Sequence, residues 1–166
     1  KYVRVPVEAD VEYRFVKALY LAWQATGDDE WMQGMLPHAA RALDYIRSHA
    51  WRWSGEHGLV KRALTMDTWD FDYVSADQPW LNFQITDDTH WGIFHGDNSG
   101  YCEAFGLMAR MYRRSGDAAS ADLWRGRAQE LAARANALCW NGRFYTHRIP
   151  LDNFRVSGVD ETDQLT

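Results

Sequence analysis

Apolar residues recur every three or four positions in four stretches of the chain, which predicts four helices. Glu12 to Thr26 and Tyr101 to Arg114 are apolar on most sides. Asp28 to Ala50 and Ala121 to Leu138 carry a single apolar stripe each. Helices that are apolar all round are buried, whereas one-sided helices lie on the outside of a fold. The pattern predicts two inner and two outer helices, with a kink or restart at Pro37.

Each inner helix is joined to its outer helix by the same dipeptide. Gly27-Asp28 follows the first inner helix, and Gly116-Asp117 follows the second, 89 residues further on. Glycine in the left-handed conformation ends a helix, and aspartate caps the one that follows. The chain therefore contains an internal repeat of helix, tight turn and helix. We predict an all-α fold of two helical hairpins, joined by a long loop that contains short strands.

Composition excludes several classes of protein. The net charge is −5 and no run of Lys or Arg is present, so a nucleic-acid partner is not expected. No stretch reaches the roughly 18 apolar residues of a membrane span, so no membrane partner is expected. No signal peptide is visible, which favours the cytoplasm, although a first residue of Lys1 leaves the compartment open. Cys102 and Cys139 fall inside helical patterns, which predicts buried hydrophobic residues rather than a disulfide or a metal motif.

The connection between the hairpins has an unusual composition. Thr65 to Tyr101 concentrates Asp, Trp and His where a connector is normally rich in Gly, Ser and Lys. In a ring of hairpins the inner helices begin on one face, and the long loops return to that face. Three acidic approaches, Val7 to Asp10, His95 to Gly100 and Gly158 to Thr166, would then converge there. This arrangement predicts a functional site.

Several short motifs resemble the six-hairpin glycosidases of the glycogen-debranching or amylo-1,6-glucosidase kind. They are HGLVKR, DTWDF, HGDNSGY, WNGRFYTH and GVDETDQLT, together with the TGD helix ending. The resemblance implies an (α/α)6 barrel that hydrolyses a glycosidic bond with two carboxylates, with inversion and without a cofactor. Residues 1–166 would then be a partial catalytic domain. It would contain hairpin one at about 10–50, an active-site loop at 51–100, hairpin two at about 101–140 and the start of the next loop at 141–166.

Such a barrel needs six hairpins, and this sequence accounts for two. We therefore expect the same chain or another chain to supply the remainder of the barrel.

Two acidic segments are candidates for catalysis. Glycoside hydrolysis requires a protonated carboxyl group and a carboxylate on opposite sides of the bond. Asp70 is the first candidate for the acid and Asp67 the second, because burial beside aromatic rings raises a carboxyl pKa. Asp97 could act as the base or bind a hydroxyl together with Asn98. The alternatives are that Asp67 caps a turn, that Asp70 pairs with Arg62 or Lys61, and that Asp97 to Ser99 form an ordinary N-cap sequence.

Aromatic and polar residues around these acids could hold a carbohydrate substrate. Indole faces match the C–H face of a pyranose, and the indole N–H reaches hydroxyl groups. The predicted substrate contacts are Trp69, Trp91, His95, Asn98, Tyr101 and Glu161. No metal site is predicted, because the histidines lack ligand spacing.

Two other functions remain open. A lyase or sugar epimerase on the same fold would use Tyr73, Tyr101 or His95 as a base. A non-catalytic helical module would bind glycans or a protein through its tryptophans.

Overall fold

The computed structural model describes residues 9–64, 87 and 89–153, and its elements are four α-helices and five short strands. The helices are α1 (Val11–Thr26), α2 (Asp29–Ser48), α3 (His95–Arg114) and α4 (Ala118–Cys139). The strands are β1 (Trp53–Ser54), β2 (Leu59–Val60), β3 (Arg62–Ala63), β4 (Trp91–Phe94) and β5 (Arg148–Pro150). Strands β1 and β2 pair with each other, and β4 lies between β3 and β5 in a second antiparallel sheet. The predicted helical class, with short strands in the long loop, is confirmed.

Both hairpins close through the predicted Gly-Asp turn. Gly27 has φ 68°, and its N–H donates to the Trp23 carbonyl, while the Asp28 carboxylate accepts from the Trp31 N–H. Gly116 has φ 87°, and the Asp117 carboxylate accepts from the backbone of α4. Glycine tolerates this left-handed backbone without the Cβ clash that other residues suffer. Both turns therefore combine a left-handed glycine with a capping aspartate, although their backbone bonds differ, since the Gly116 N–H donates to the Arg113 carbonyl.

Helix α3 begins earlier than predicted. His95 is its first residue, and Phe94 precedes it without a side-chain cap. His95 to Gly100 is consequently the first turn and a half of the helix, and neither an approach loop nor an N-cap sequence. The glycine at position 100 serves packing rather than turning, since a Cβ there would lie 2.6 Å from the Tyr13 ring. In the outer helix α2, residues run through Pro37 without a restart.

One hydrophobic core lies between the two hairpins and beneath the strands. It includes Val16, Leu19, Met32, Leu36, Leu43, Ile46, Leu59, Val60, Ile93, Tyr101, Phe105, Met108, Met111, Trp124 and Leu131. With Ala104 and Leu107, helix α3 contributes six buried side chains to this core, and helix α2, with Ala39, contributes five. Helix α1 was predicted to be buried on most sides, but Phe15 and Leu21 are exposed. Its outward face has no covering element among the described residues.

The cysteines agree in part with a further expectation. Cys102 and Cys139 are both free thiols, and Cys139 is buried. Burial raises the pKa of the Cys102 thiol to about 11, so it stays protonated at neutral pH. Among the helices described, none combines the length and apolar character that a membrane crossing requires.

The caps give a first prediction. Replacing Asp28 with Ala removes the acceptor for the Trp31 N–H and should lower the free energy of unfolding by about 1 kcal/mol. Asp28→Asn keeps a side-chain oxygen at the same place and should lose much less. Urea unfolding monitored by circular dichroism compares the two variants. Equal losses in both would contradict the capping role.

Candidate functional site

Most of the predicted site residues that the structure describes lie at one end of the helices. Helices α1 and α3 run parallel, because Tyr13 packs on Gly100 near both starts and Arg114 binds Asp29 near both ends. Helices α2 and α4 run the other way and finish where α1 and α3 begin. The site end is defined here as the first turns of α1 and α3, the last turns of α2 and α4, strands β1–β5 and the segment from Trp140 to His147.

Asn98 holds the beginning of α3 against strand β2. Its Oδ1 accepts from the Val60 N–H at 2.9 Å, and its Nδ2 donates to the Val60 and Phe94 carbonyls, both at 2.9 Å. The side chain is fully buried, and both amide protons are used. This geometry corrects the interpretation of Asn98 as a substrate contact, because the amide ties two backbone segments together and does not reach the surface.

Asp97 sits beside that clamp in an environment that favours a negative charge. The Arg62 Nη1 lies 3.9 Å from the Asp97 Oδ2, and the Arg62 guanidinium also covers the Phe94 ring at 4.8 Å. Asp97 is the third residue of α3, where the helix dipole stabilises an anion. The residue is only 8% exposed. The arginine and the helix start place positive charge beside Asp97, which suits a base or a group that stabilises a cation.

A second arginine lies on the same face of the three-stranded sheet as Arg62. Residue 148 in β5 pairs with Phe94, and its side chain crosses Gly92, where an added Cβ would lie 3.0 Å from the Arg148 Nε. Arg62 pairs with Gly92 from the other neighbouring strand. Cross-strand partners project to the same face of a sheet. Both arginine side chains therefore lie on the Gly92 face of the sheet, where Arg148 is buried, and neither was predicted as a site residue.

Tyr13 is another missed residue. Its ring packs edge-on against Tyr101 at 5.1 Å and fills the space that Gly100 leaves. Burial raises the pKa of Tyr13, and the charges of Asp10 and Asp97 raise it further. The hydroxyl thus stays protonated near Asp97. The contact of Gly100 in α3 with Tyr13 in α1 is visible only in the tertiary structure, because the two residues are far apart in the sequence.

Tyr101 fastens α1 to α3. The side chain is fully buried, and its Oη lies 2.7 Å from the Ala9 carbonyl oxygen and 3.0 Å from the Glu12 Oε2. Arg52 donates to the same Glu12 oxygen at 2.7 Å. Burial, followed by the Glu12 charge, raises the pKa of Tyr101 far above its usual range. Tyr101 is therefore a structural tie, and its predicted roles as a substrate contact and as a base do not fit this geometry.

His95 lies at the surface of the site end. Its ring stacks on Tyr145 with centroids 4.2 Å apart, and its Nε2 is 3.3 Å from the Ser99 Oγ. Burial lowers the pKa of His95, and the nearby His147 lowers it further. The imidazole is therefore neutral at pH 7 and able to accept a proton. Trp140, 47% exposed, packs against Tyr145 and extends this aromatic surface.

A second aromatic surface contains Trp91, which was predicted from the sequence to stack on a sugar ring. The Trp91 ring is half-buried, lies 6.4 Å from the Trp51 ring and has the Lys61 Nζ 5.2 Å from its centroid. Trp51 is 44% exposed and was overlooked, although it lies in the predicted active-site loop. His49 and Tyr45 continue the row of rings. An exposed indole pair of this kind is available to stack on a ligand.

Four predicted site residues, Asp67, Trp69, Asp70 and Glu161, lie outside the described residues, as does Tyr73. No group of three or more His, Cys, Asp or Glu side chains among residues 9–64, 87 and 89–153 could hold a metal ion. His90, near the acidic pair that precedes β4, instead contacts the Asp152 Oδ2 at 2.8 Å.

Comparison of the chain with protein-family models, with curated proteins and with solved structures gives no match. The function of the site end is therefore inferred from its own residues.

The Asn98 clamp gives a second prediction. Asn98→Ala leaves the Val60 N–H and two carbonyls without partners in a buried place, which should lower the free energy of unfolding by about 2–3 kcal/mol. Ser99→Ala, one residue along and exposed, is the matched control and should change it little. Chemical denaturation measures both. A neutral Asn98→Ala would show that the clamp does not hold β2 in place.

His95 gives a third prediction, on pH. The folded-state pKa lies below the unfolded value of about 6.5, so stability is complete above that value. As pH falls below it, the unfolded chain takes up a proton that folded His95 resists, and stability decreases. His95→Gln should lose less stability than the unmodified chain between pH 7 and 5. Thermal denaturation across this pH range tests the difference, and identical pH slopes would refute the assignment.

Proposed function

We propose that this chain is part of a glycoside hydrolase acting on an oligo- or polysaccharide. The observation that carries the proposal is Asp97, a shielded carboxyl group in the first turn of α3 whose Oδ2 lies 3.9 Å from the Arg62 Nη1. Exposed indole rings lie at the same end of the helices. Glycosidic bond cleavage uses two carboxyl groups, and aromatic rings commonly hold the sugar. The motifs that resemble six-hairpin glycosidases support the same conclusion.

In the proposed reaction Asp97 is the base or the group that stabilises positive charge on the sugar. An ionised carboxylate can take a proton from water or balance an oxocarbenium-like transition state. The general acid is assigned to Asp70, with Asp67 as the second choice. Both belong to the connection between β3 and β4, and these strands pair beside Asp97. The segment that carries Asp67 and Asp70 therefore begins after β3 and ends before β4, close to the proposed base Asp97.

Sugar rings are proposed to stack on Trp51 and Trp91, with His95 at the edge of the site. Trp69 and Glu161 keep their proposed roles as further contacts. Inversion, which the resemblance implies, would need a separation of about 6.5–9.5 Å between the two carboxyl groups, enough for a water molecule. The other hairpins of the barrel are proposed to come from the same chain or another chain.

A lyase or epimerase is the second candidate, and His95 is what favours it. A neutral imidazole near the site could remove a proton from a sugar carbon. Tyr101 is a poor base for this chemistry, because its hydroxyl is buried and resists ionisation. A non-catalytic glycan-binding module would use Trp51 and Trp91 while Asp97 only stabilised the fold.

One set of variants distinguishes the hydrolase, the lyase or epimerase and the binding module, and gives a fourth prediction. In the polypeptide as its source organism makes it, Asp97→Asn should lower turnover of oligosaccharides by at least about a hundredfold and leave binding largely intact. Reducing ends released from a panel of linear and branched glucans and other oligosaccharides report turnover, and calorimetry reports binding.

Trp51→Ala is the companion variant and should weaken binding while circular dichroism stays unchanged. Loss of turnover in His95→Gln with full turnover in Asp97→Asn would favour the lyase or epimerase. Binding without turnover in every preparation would favour the module.

A further inference from the structure

Tyr13, in the first turn of α1, is held in place by a glycine of the neighbouring inner helix. The atoms nearest to a Cβ built on Gly100 are the Tyr13 Cζ at 2.6 Å, Cε2 at 2.7 Å and Cδ2 at 2.8 Å. The Tyr13 ring therefore occupies the place that a larger side chain at position 100 would take. The closest of the three atoms is Cζ, the carbon that bears the hydroxyl group.

A second aromatic ring fixes the orientation of the first. Tyr101 meets Tyr13 edge-on, with ring centroids 5.1 Å apart and planes at 82°. Edge-to-face contacts of this kind are attractive beyond the area that they bury. Tyr101 is itself fully buried and bonded to the Ala9 carbonyl and to Glu12, so it does not turn away. The Tyr13 ring is thus confined by Gly100 on one side and by Tyr101 on another.

The hydroxyl of Tyr13 lies on the Asp97 side of this contact. Long side chains on a helix point back towards its N-terminus. Because α1 and α3 run parallel, the Tyr13 hydroxyl, one bond beyond Cζ, extends towards the start of α3. Asp97 lies three residues before Gly100 and therefore on the same face of α3. The phenol and the carboxyl group are neighbours at the site end.

The Tyr13 hydroxyl is suited to donate a hydrogen bond there. Burial raises the pKa of Tyr13, and the charges of Asp10 and Asp97 raise it further, so the O–H keeps its proton. The side chain is only half-buried. Arg14, which pairs with Asp10, has its guanidinium carbon 5.9 Å from the centroid of the Tyr13 ring. A phenol donates one proton, whereas a carboxylate only accepts, so one water molecule can bond to both groups.

We propose that Tyr13 is a positioning residue of the Asp97 site, and that its hydroxyl orients the water molecule that Asp97 deprotonates. In this step the water gives a proton to the Asp97 carboxylate and its oxygen bonds to the anomeric carbon. The glycosidic C–O bond breaks, and its electron pair leaves with the oxygen, which takes the proton of the general acid. A hydrogen bond from Tyr13 to one lone pair of the water directs the other lone pair at the sugar. This role rests on the proposed hydrolysis, with Asp97 as the base.

Tyr13→Phe tests this role and gives a fifth prediction. The change keeps the ring over Gly100 and against Tyr101 and removes only the hydroxyl. In the polypeptide as its source organism makes it, kcat should fall on the order of tenfold, the value of one hydrogen bond, while KM changes little. Reducing ends released from the same panel of linear and branched glucans and other oligosaccharides report both constants.

Tyr20→Phe is the matched control. Tyr20 is also half-buried on α1, two turns further from the site end, and loses the same hydroxyl group. Its kcat and KM should equal those of the unmodified chain. Circular dichroism confirms that both variants are folded.

Gly100→Ala provides an independent arm, because the added Cβ displaces the Tyr13 ring. This variant should lower kcat in the unmodified chain but lower it little further in Tyr13→Phe, where the hydroxyl is already absent. Equal losses in the two backgrounds would contradict the role of the hydroxyl. If Gly100→Ala does not fold, the result for Tyr13→Phe decides alone.

The outcomes separate this role from the hydrolysis on which it rests. Full kcat in Tyr13→Phe, with turnover lost in Asp97→Asn, would overturn the role of Tyr13 and leave the hydrolase intact. A raised KM with unchanged kcat in Tyr13→Phe would make Tyr13 a substrate contact and would also overturn the positioning role. Full turnover in Asp97→Asn, or none in the unmodified chain, would overturn the proposed hydrolysis and the role of Tyr13 with it.

Discussion

The hydrogen bonds between the Asn98 amide and the Val60 backbone are the constraint on which the site end depends. They connect a helix to a two-residue strand that could not persist alone, because so short a strand has few backbone bonds of its own. Val60 precedes Arg62 by two residues, and Asp97 adjoins Asn98. Fixing Val60 on α3 therefore also fixes the distance between the Arg62 guanidinium and the Asp97 carboxylate. The buried Asn98 amide thus positions the Arg62–Asp97 ion pair without itself belonging to that pair.

A second buried tie performs the same task for α1. Tyr101 reaches the Ala9 carbonyl and Glu12, and Arg52 completes the group from the segment before β1. Removing one member of such a network leaves a charge or a hydroxyl buried without its partner, which costs more than the bond itself contributes. The two ties connect the start of α3, which carries His95 and Asp97, to strand β2 and to the start of α1. Rigid support of this kind is what a carboxylate needs in order to act at a defined position.

The hairpins could be read from the sequence because their signals are local. Gly27 and Asp28 determine a turn by backbone conformation and capping, and the repeat at Gly116 confirms the interpretation without any tertiary information. The start of α3 could not be read in this way. Gly, Asp, Asn and Ser favour turns and caps locally, but bonds from Asn98 to a strand 38 residues earlier draw them into the helix.

Buried polar side chains are the second reason why the site differs from its prediction. Tyr101 and Asn98 are polar residues in an acidic motif, which favours a ligand contact, but each has its partners inside the fold. Arg62, Arg148 and Tyr13 acquire their positions from strand pairing and helix packing over long sequence distances, so no local pattern singles them out. Trp51 was missed because the sequence alone does not show whether an indole ring is exposed or covered by another part of the fold.

The site end is proposed to bind carbohydrate through the indole rings of Trp51 and Trp91. Nuclear magnetic resonance of the ¹⁵N-labelled chain resolves the indole N–H signals and follows them as oligosaccharides are added. We expect the signals of Trp51 and Trp91 to shift in a saturable way. The signal of Trp124, which is buried between α3 and α4, should not shift. Indole signals that remain unchanged with every oligosaccharide tested would contradict it.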